Sequence, residues 1–191
     1  MVQRRLIRGV LLLFWLLLTA CQALAETPAP VITRMLNKPS PPPAATANLD
    51  RLARPVLPPN PTQADYGAQI YYESCMACHG DRGQGLTDEW RAAWSQDDQN
   101  CWQSKCHATN HPPEGFKLPR YVPPIIGNKT LARFQTAADL HAFLVAKMPW
   151  QAPGLFDEAT YWQLTAFLLR ANGVNLGNTP LGPENAGKIN W

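Results

Sequence analysis

The sequence lacks a large excess of charge of either sign. Its net charge is +3, and Arg4, Arg5 and Arg8 all lie in the first ten positions, where no acid occurs. Without these three residues, 14 cations remain against 14 acids. A nucleic-acid-binding surface needs clustered cations that displace counterions from phosphates. The balanced body of the chain therefore gives no argument for binding nucleic acid.

Patterns typical of several other protein classes are also missing. No alternating polar and apolar strand pattern occurs from residue 63 onward. No Ser/His/Asp set, phosphate-binding loop or pair of carboxylates is evident, so nothing points to an independent enzyme. No apolar run reaches the roughly 20 residues that span a membrane, so an uncleaved membrane anchor is the less favoured interpretation.

The first 20 residues do contain a secretory signal pattern, in which arginines precede an apolar run and then small residues. Two cleavage sites fit this pattern. Residues 18–21 resemble a bacterial lipoprotein box that ends at Cys21, and residues 23–25 form an ordinary A-x-A site. We favour the lipoprotein box because it explains the odd cysteine, and we expect lipid on Cys21 to hold the protein at a membrane surface. Either site predicts export from the cytoplasm.

The distribution of proline divides the rest of the chain. Ten of the 19 prolines lie between residues 27 and 62, which predicts a disordered, semi-rigid linker over residues 21–62. One folded domain is expected over residues 63–173, with an insertion at 90–122, followed by an extended tail at 174–191.

Periodic apolar residues in the domain predict an all-α fold of four to five short helices. The first is expected over residues 64–73 and a short amphipathic one over 86–94. A capping-box pattern at residues 136–139 opens a third helix. The fourth is expected over residues 157–172.

Residues 75–79, the first motif, read Cys-Met-Ala-Cys-His, which is a haem-attachment sequence. Cys75 and Cys78 have the spacing that reaches two vinyl groups on one edge of a porphyrin, and His79 would ligate the iron as proximal ligand. A disulfide redox pair or half of a zinc site could also use C-x-x-C. The histidine, the export signal and the lack of a β-α-β pattern favour haem. We therefore expect a covalently bound haem c.

Residues 63–172 resemble the class I, cytochrome c-like family. The matching features, in chain order, are Gly67, Tyr71, the sequence at 75–80, Pro-Pro-Ile-Ile-Gly at 123–127, Met148-Pro149, and Tyr161-Trp162. The resemblance implies that the Pro123 carbonyl accepts a hydrogen bond from His79. It also implies that Met148 is the sixth ligand of the iron.

Elimination independently favours Met148 as an iron ligand. The other three methionines lie in the leader, the linker and the attachment turn. Packing in the core is the alternative role of Met148, and His141 or His111 could then replace it on the iron. Histidine–methionine ligation fills both axial positions and raises the reduction potential, which favours electron transfer over substrate binding.

A second cysteine pair interrupts the resemblance. The 43 residues between His79 and Pro123 exceed what small members of the family use here, and they contain Cys101, Cys106 and His107. Three interpretations stay open: a disulfide between the cysteines, a second haem, or a metal site completed by histidines. We refer to residues 101–107 as the second motif.

The function expected from these observations is transfer of single electrons in an extracytoplasmic electron-transport chain. The partners would be redox proteins of a respiratory or photosynthetic chain, met in the periplasm or at the outer face of the cytoplasmic membrane. The alternative is a catalytic haem protein, such as a peroxidase or a subunit associated with a dehydrogenase.

Overall fold

The structure is a computed structural model that describes residues 49–177 and 179–191. The predicted signal sequence, the lipoprotein box with Cys21 and most of the predicted linker lie outside the described residues. All described residues belong to one structural unit, Pro43–Trp191. No helix within them combines the length and the apolar character needed to cross a membrane.

Across residues 49–177 and 179–191 the chain forms six α-helices and no strand, which confirms the predicted all-α class. The helices are α1 (Gln63–Ser74), α2 (Met76–His79), α3 (Asp88–Arg91), α4 (Ala137–Lys147), α5 (Glu158–Ala171) and α6 (Pro183–Ala186). Short 3-10 helices lie at Leu49–Leu52 and Gln96–Asp98. The helix expected over residues 86–94 is only the single turn α3.

The two long helices after the insertion begin at side chains that bond to free amide groups. The Asp139 N–H donates to Thr136 Oγ1 at 3.2 Å, and the Asp139 carboxylate accepts from the Thr136 N–H at 2.9 Å. This is the capping box expected for α4. The Asp157 carboxylate accepts from the Thr160 N–H at 2.8 Å and caps α5.

Helices α1 and α5 pack closely, and Gly67 permits their approach. A Cβ atom at Gly67 would overlap the backbone carbonyl of Gln163 and contact Phe167, both on α5. One turn later, the Tyr71 ring packs against Phe167 with ring centroids 4.9 Å apart. The match of Gly67 and Tyr71 to the family thus has a physical cause in the helix contact.

The insertion contributes to the core and contacts the first motif. Trp90 of α3 is fully buried, and its Nε1 donates to the Ala77 carbonyl at 3.1 Å. The other largest buried side chains include Tyr161 and Leu169 of α5 and Leu140 of α4. The attachment turn is therefore held between the insertion and the long helices.

The C-terminal segment differs from the extended tail expected at residues 174–191. It contains α6, and Leu181 and Ala186 are buried. The side chain of Gln63 bonds to both backbone groups of Leu181, at 2.9 and 2.8 Å. The Ile189 carbonyl accepts from the N–H at the start of α4 at 3.0 Å. Isolated apolar side chains that fill gaps in a core leave no periodic pattern in the sequence. The packing of this segment could therefore not be predicted from the sequence.

Residues 49–62, the part of the predicted linker that the structure describes, also contact the domain. The Arg51 guanidinium bonds to both carboxylate oxygens of Asp81, at 2.8 and 2.6 Å. The Leu52 carbonyl accepts from the Tyr72 hydroxyl at 2.8 Å. Helix α1 begins at the predicted boundary, but the packed part of the chain begins before it.

Candidate haem site

Helix α2 is a single turn that carries the first motif. The Cys75 N–H donates to the Tyr71 carbonyl at 2.9 Å, and the Cys75 carbonyl accepts from the His79 N–H at 2.9 Å. The Tyr71 hydroxyl donates to the Gly80 carbonyl at 2.6 Å, which fixes the end of the turn. Gly80 has a φ of +85°, a conformation that favours glycine. Backbone hydrogen bonds and the Tyr71 hydroxyl therefore hold the two cysteines and His79 in a fixed arrangement.

His79 is held in one orientation by Pro123. Its Nδ1 lies 3.2 Å from the Pro123 carbonyl oxygen, and since a carbonyl can only accept, Nδ1 carries the proton. The side chain is 9% exposed, and burial lowers its pKa, although the bond to Pro123 acts in the opposite direction. A neutral imidazole protonated at Nδ1 leaves the Nε2 lone pair available to a metal.

An apolar cavity of about 310 Å³ opens beside the attachment turn. Its wall includes Cys75, Cys78, His79 and Met148. A neighbouring cavity of about 220 Å³ is also lined by His79 and Met148, so the two spaces adjoin at these side chains. Residues that are distant in the sequence thus line one apolar space, and their thiols, imidazole and thioether suit a haem.

The position of Met148 depends on α5. Met148 follows the last residue of α4, and its N–H donates to the Leu144 carbonyl at 2.9 Å. Its carbonyl accepts from the Tyr161 hydroxyl at 2.7 Å, and Tyr161 is buried in α5. In the sequence, Tyr161 is recognisable as a family feature, but this bond is not predictable, because no local pattern pairs residues on two different helices.

The environment of the first two thiols does not suit disulfide exchange. Cys75 and Cys78 are not bonded to each other. Burial, and then the neighbouring Cys78, raises the pKa of Cys75 to about 12. Burial, and then the nearby thiol of Cys101, raises the pKa of Cys78. A redox-active pair needs a lowered thiol pKa, whereas buried thiols beside an apolar cavity suit attachment of a porphyrin.

Comparison with protein families matches residues 62–168, more than half of the chain, to the family described as cytochrome c oxidase, cbb3-type, subunit III. The chain belongs to this family of c-type cytochrome domains. Membership implies a covalently bound haem c and haem-based electron transfer. Searches of curated proteins and of solved structures found no significant match.

One cation in the wall of the cavity could not be predicted from the sequence. Arg133 lines both adjoining cavities. Its guanidinium carbon lies 4.0 Å from the ring centroid of Phe143 and 4.6 Å from that of Phe134. A haem carries propionate carboxylates, and a guanidinium held on aromatic faces is a suitable partner for them. A single arginine in a loop before α4 belongs to no motif, so the sequence had no signal for it.

The two histidines considered as substitutes for Met148 lie elsewhere. The His141 ring stacks on Trp162 with centroids 3.5 Å apart. The His111 Nδ1 lies 2.7 Å from the carbonyl of the adjacent Pro112. Neither histidine lines the cavities that His79 and Met148 share.

The second motif lies on the surface of the insertion. Cys101 is half-buried, Cys106 is exposed, and the two are not bonded to each other. Within residues 49–177 and 179–191, no group of three or more His, Cys, Asp or Glu side chains could hold a metal ion. His107 Nδ1 lies 3.1 Å from the Phe116 carbonyl oxygen, so the imidazole is oriented by the backbone.

Proposed function

We propose that this cytochrome domain carries single electrons in an extracytoplasmic electron-transport chain. Its haem would be bonded to Cys75 and Cys78, with the iron between His79 and Met148. The observation that carries this proposal is the apolar cavity whose wall contains all four residues. When bound, the haem supplies an iron that alternates between the ferric and ferrous states.

The residues around the cavity have separate tasks in this proposal. Pro123 fixes the imidazole of His79 and makes Nε2 more basic, as the orienting partner of a metal-bound histidine does. Met148 supplies a thioether, which favours the ferrous state and raises the reduction potential. Tyr161 holds the backbone of Met148. If His79 and Met148 both hold the iron, no position would remain for a substrate, which would favour electron transfer.

Contact with redox partners is supported by the rim of the cavity. Tyr121 and Trp150 both line it and are 73% and 56% exposed. An exposed aromatic rim suits a small, short-lived interface in which the haem edge faces a partner protein. Lipid on Cys21 and the linker would keep the domain near partners in or on a membrane. The sequence at residues 18–21 is the support for that anchor.

Spectroscopy of Met148→Leu tests the proposed ligation. In the ferric wild-type protein we expect a low-spin spectrum with the weak charge-transfer band at the red end of the spectrum that a thioether ligand produces. Met148→Leu should lose this band, lower the potential and bind cyanide. Met35→Leu, which changes a thioether of the linker, is the matched control and should change nothing.

The spectrum of the ferric wild-type protein also distinguishes an electron carrier from a catalytic haem protein. A high-spin wild-type protein that turns over peroxide would overturn the proposed ligation and favour a peroxidase-like function. The anchor is tested independently by Cys21→Ser, which should move the protein from the membrane fraction to the soluble extracytoplasmic fraction. Unchanged membrane association of Cys21→Ser would refute the anchor and leave the proposed electron transfer intact.

A further inference from the structure

The histidine of the first motif makes three contacts that fix its backbone and its ring. The His79 N–H donates to the carbonyl of the first cysteine, Cys75, at 2.9 Å. Its Nδ1 donates to the Pro123 carbonyl at 3.2 Å. Its own carbonyl accepts from the Gly85 N–H at 2.7 Å. These contacts fix the imidazole of His79 in the wall of the apolar cavity and leave its Nε2 available to a metal.

The histidine of the second motif makes the same three kinds of contact. The His107 N–H donates to the carbonyl of the first cysteine, Cys101, at 3.1 Å. Its Nδ1 donates to the Phe116 carbonyl at 3.1 Å. Its carbonyl accepts from the Leu118 N–H at 3.1 Å. The chain therefore builds the same histidine environment twice, although the second motif has four residues between its cysteines instead of two.

This environment fits a haem better than it fits the other two interpretations. A structural metal ion would need several side chains on the metal itself, and no such cluster occurs within the described residues. A disulfide would need no histidine, and Cys101 and Cys106 are not joined. A haem needs only the histidine on its iron, because the cysteines bond to the edge of the porphyrin.

The second motif lies beside the first haem cavity. Leu118, whose N–H bonds to His107, is buried and lines that cavity. A group attached at the second motif would therefore be close to the haem of the first motif.

We propose that Cys101 and Cys106 bind a second haem c, with His107 as the proximal ligand of its iron. Each thiol adds across one vinyl double bond of a haem b, so that a sulfur–carbon bond forms and the thiol proton goes to the other vinyl carbon. No oxidant is consumed and no group leaves. A role for this haem as a relay to the first one rests on the proposed electron transfer, whereas its attachment does not.

The apolar cover that a second porphyrin needs is partly present in the insertion. The Phe116 ring lies 4.4 Å from the His107 ring, centroid to centroid. Trp102 is a second aromatic side chain there, and the guanidinium groups of Arg91 and Arg120 lie 5.4 and 5.3 Å from its ring centroid. The second haem would be more exposed to solvent than the first, because Cys106 is itself exposed. Exposure alters the reduction potential, so two unequal potentials are expected.

Tryptic digestion of the full-length protein purified from its own cells tests the attachment directly. Cleavage after Lys105 separates Cys101 from Cys106, whereas Cys75 and Cys78 stay in one peptide, because no lysine or arginine lies between them. A haem at the second motif would hold the two peptides, residues 92–105 and 106–117, together and add one haem mass. The link should survive reduction with a thiol reagent.

Each other outcome has a defined meaning. Two peptides joined without haem and separated by reduction would establish the disulfide and overturn the second haem. Separate peptides would overturn it as well. In both cases a haem on the peptide with Cys75 and Cys78 would leave the proposed function intact. The absence of haem from that peptide would instead refute the proposed function.

The haem-to-protein ratio of variants gives a second measurement. We expect two haems per protein chain in the wild-type protein and one per chain in the double variant Cys101→Ala, Cys106→Ala. Gln103→Ala, an exposed residue between the two cysteines, is the matched control and should retain both. A ratio of one in the wild-type protein, unchanged in the double variant, would overturn the inference.

Discussion

The two motifs differ in how much of the fold supports them. In the first motif, the histidine is 9% exposed and its orienting carbonyl, that of Pro123, is far along the chain. In the second motif, the orienting carbonyl is that of Phe116, nine residues after His107. The same histidine environment can thus be built either by the packed core or by a local loop. The first should depend on global stability, whereas the second should depend on the loop backbone.

Removal of the cysteine pairs should show this difference most strongly. Without haem, the apolar wall of the first cavity, which includes Leu164 and Leu168 of α5, lacks its packing partner, and space left unfilled in a core destabilises the fold. A small domain has only about 5–15 kcal/mol of stability to lose. The double variant Cys75→Ala, Cys78→Ala should therefore lose most of its helical circular dichroism.

The matching change in the second motif, Cys101→Ala with Cys106→Ala, should leave the circular dichroism close to that of the wild-type protein. Its cysteines lie in the insertion, outside the contact between α1 and α5. A cooperative thermal transition in the first double variant, with full helicity, would show that the core does not need haem. The contrast between the two motifs would then be wrong.

A substitution at the helix contact should have the next largest effect. Gly67→Ala places a Cβ against the Gln163 carbonyl, and overpacking of this kind costs about 1–3 kcal/mol. The thermal midpoint should fall by about 2–4 °C for each kcal/mol lost, as expected for a folded unit of this size. Scanning calorimetry measures this shift.

Gly187→Ala is the control for Gly67→Ala. Gly187 has a φ of −68° and no neighbour within 4 Å of an added Cβ, so Gly187→Ala should change the free energy of unfolding by no more than about 0.5 kcal/mol. Equal midpoints for the two variants would mean that the close approach of α1 and α5 carries no constraint. The first motif would then not depend on that helix pair.

The sequence could predict the parts of the fold that are local. The caps at Thr136 and Asp157 and the all-α class follow from neighbouring residues and from helical periodicity, and the structure contains them. The turn at residues 75–79 is also local, because its hydrogen bonds join residues four apart. The burial of Leu181 and the position of Arg133 depend on contacts across the chain, which leave no periodic signal.

Among the residues of the site, motif spacing and family resemblance together identified the two cysteines, His79, Pro123 and Met148. The attachment and ligation of haem by these residues remain predictions. The similarity of His79 and His107 could not be read from the sequence, because the carbonyls that orient them come from loops with no common motif. Only the position of the histidine after the second cysteine gave a sign of it.

The ion pair between Arg51 and Asp81, next to the first motif, should have a smaller effect on stability. Burial raises the pKa of Asp81, but hydrogen bonds from Arg51 and Gln84 outweigh it and hold the pKa below the ordinary value of 3.8. A carboxylate with a lowered pKa stabilises the fold at pH values above 3.8, and this stabilisation is lost as the pH falls through the lowered pKa. Asp81→Asn should therefore cost about 1 kcal/mol at neutral pH.

The loss in Asp81→Asn should shrink as the pH falls below 3.8 and through the lowered pKa of the wild-type carboxylate. Urea denaturation at several pH values measures this dependence. Asp97→Asn, at an exposed position of the insertion, serves as the control and should be nearly neutral. An Asp81→Asn loss that is the same at pH 3 and at pH 7 would show that the pair with Arg51 does not stabilise the first motif.

The smallest expected effect concerns the reduction potentials of the two proposed haems. Arg133 lines the first cavity, and a cation there favours the ferrous iron, which carries one positive charge less than the ferric iron. Arg133→Gln should lower the potential of the first haem by on the order of tens of millivolts, because a partly exposed charge contributes only about 1 kcal/mol.

Arg120→Gln is the control for Arg133→Gln. It changes a cation beside Trp102 in the insertion and should lower only the potential of the second haem. A redox titration in which either variant shifts both potentials equally would show that the two sites share one electrostatic environment. The two sites would then not be electrostatically independent, and the contrast between the two motifs would not hold.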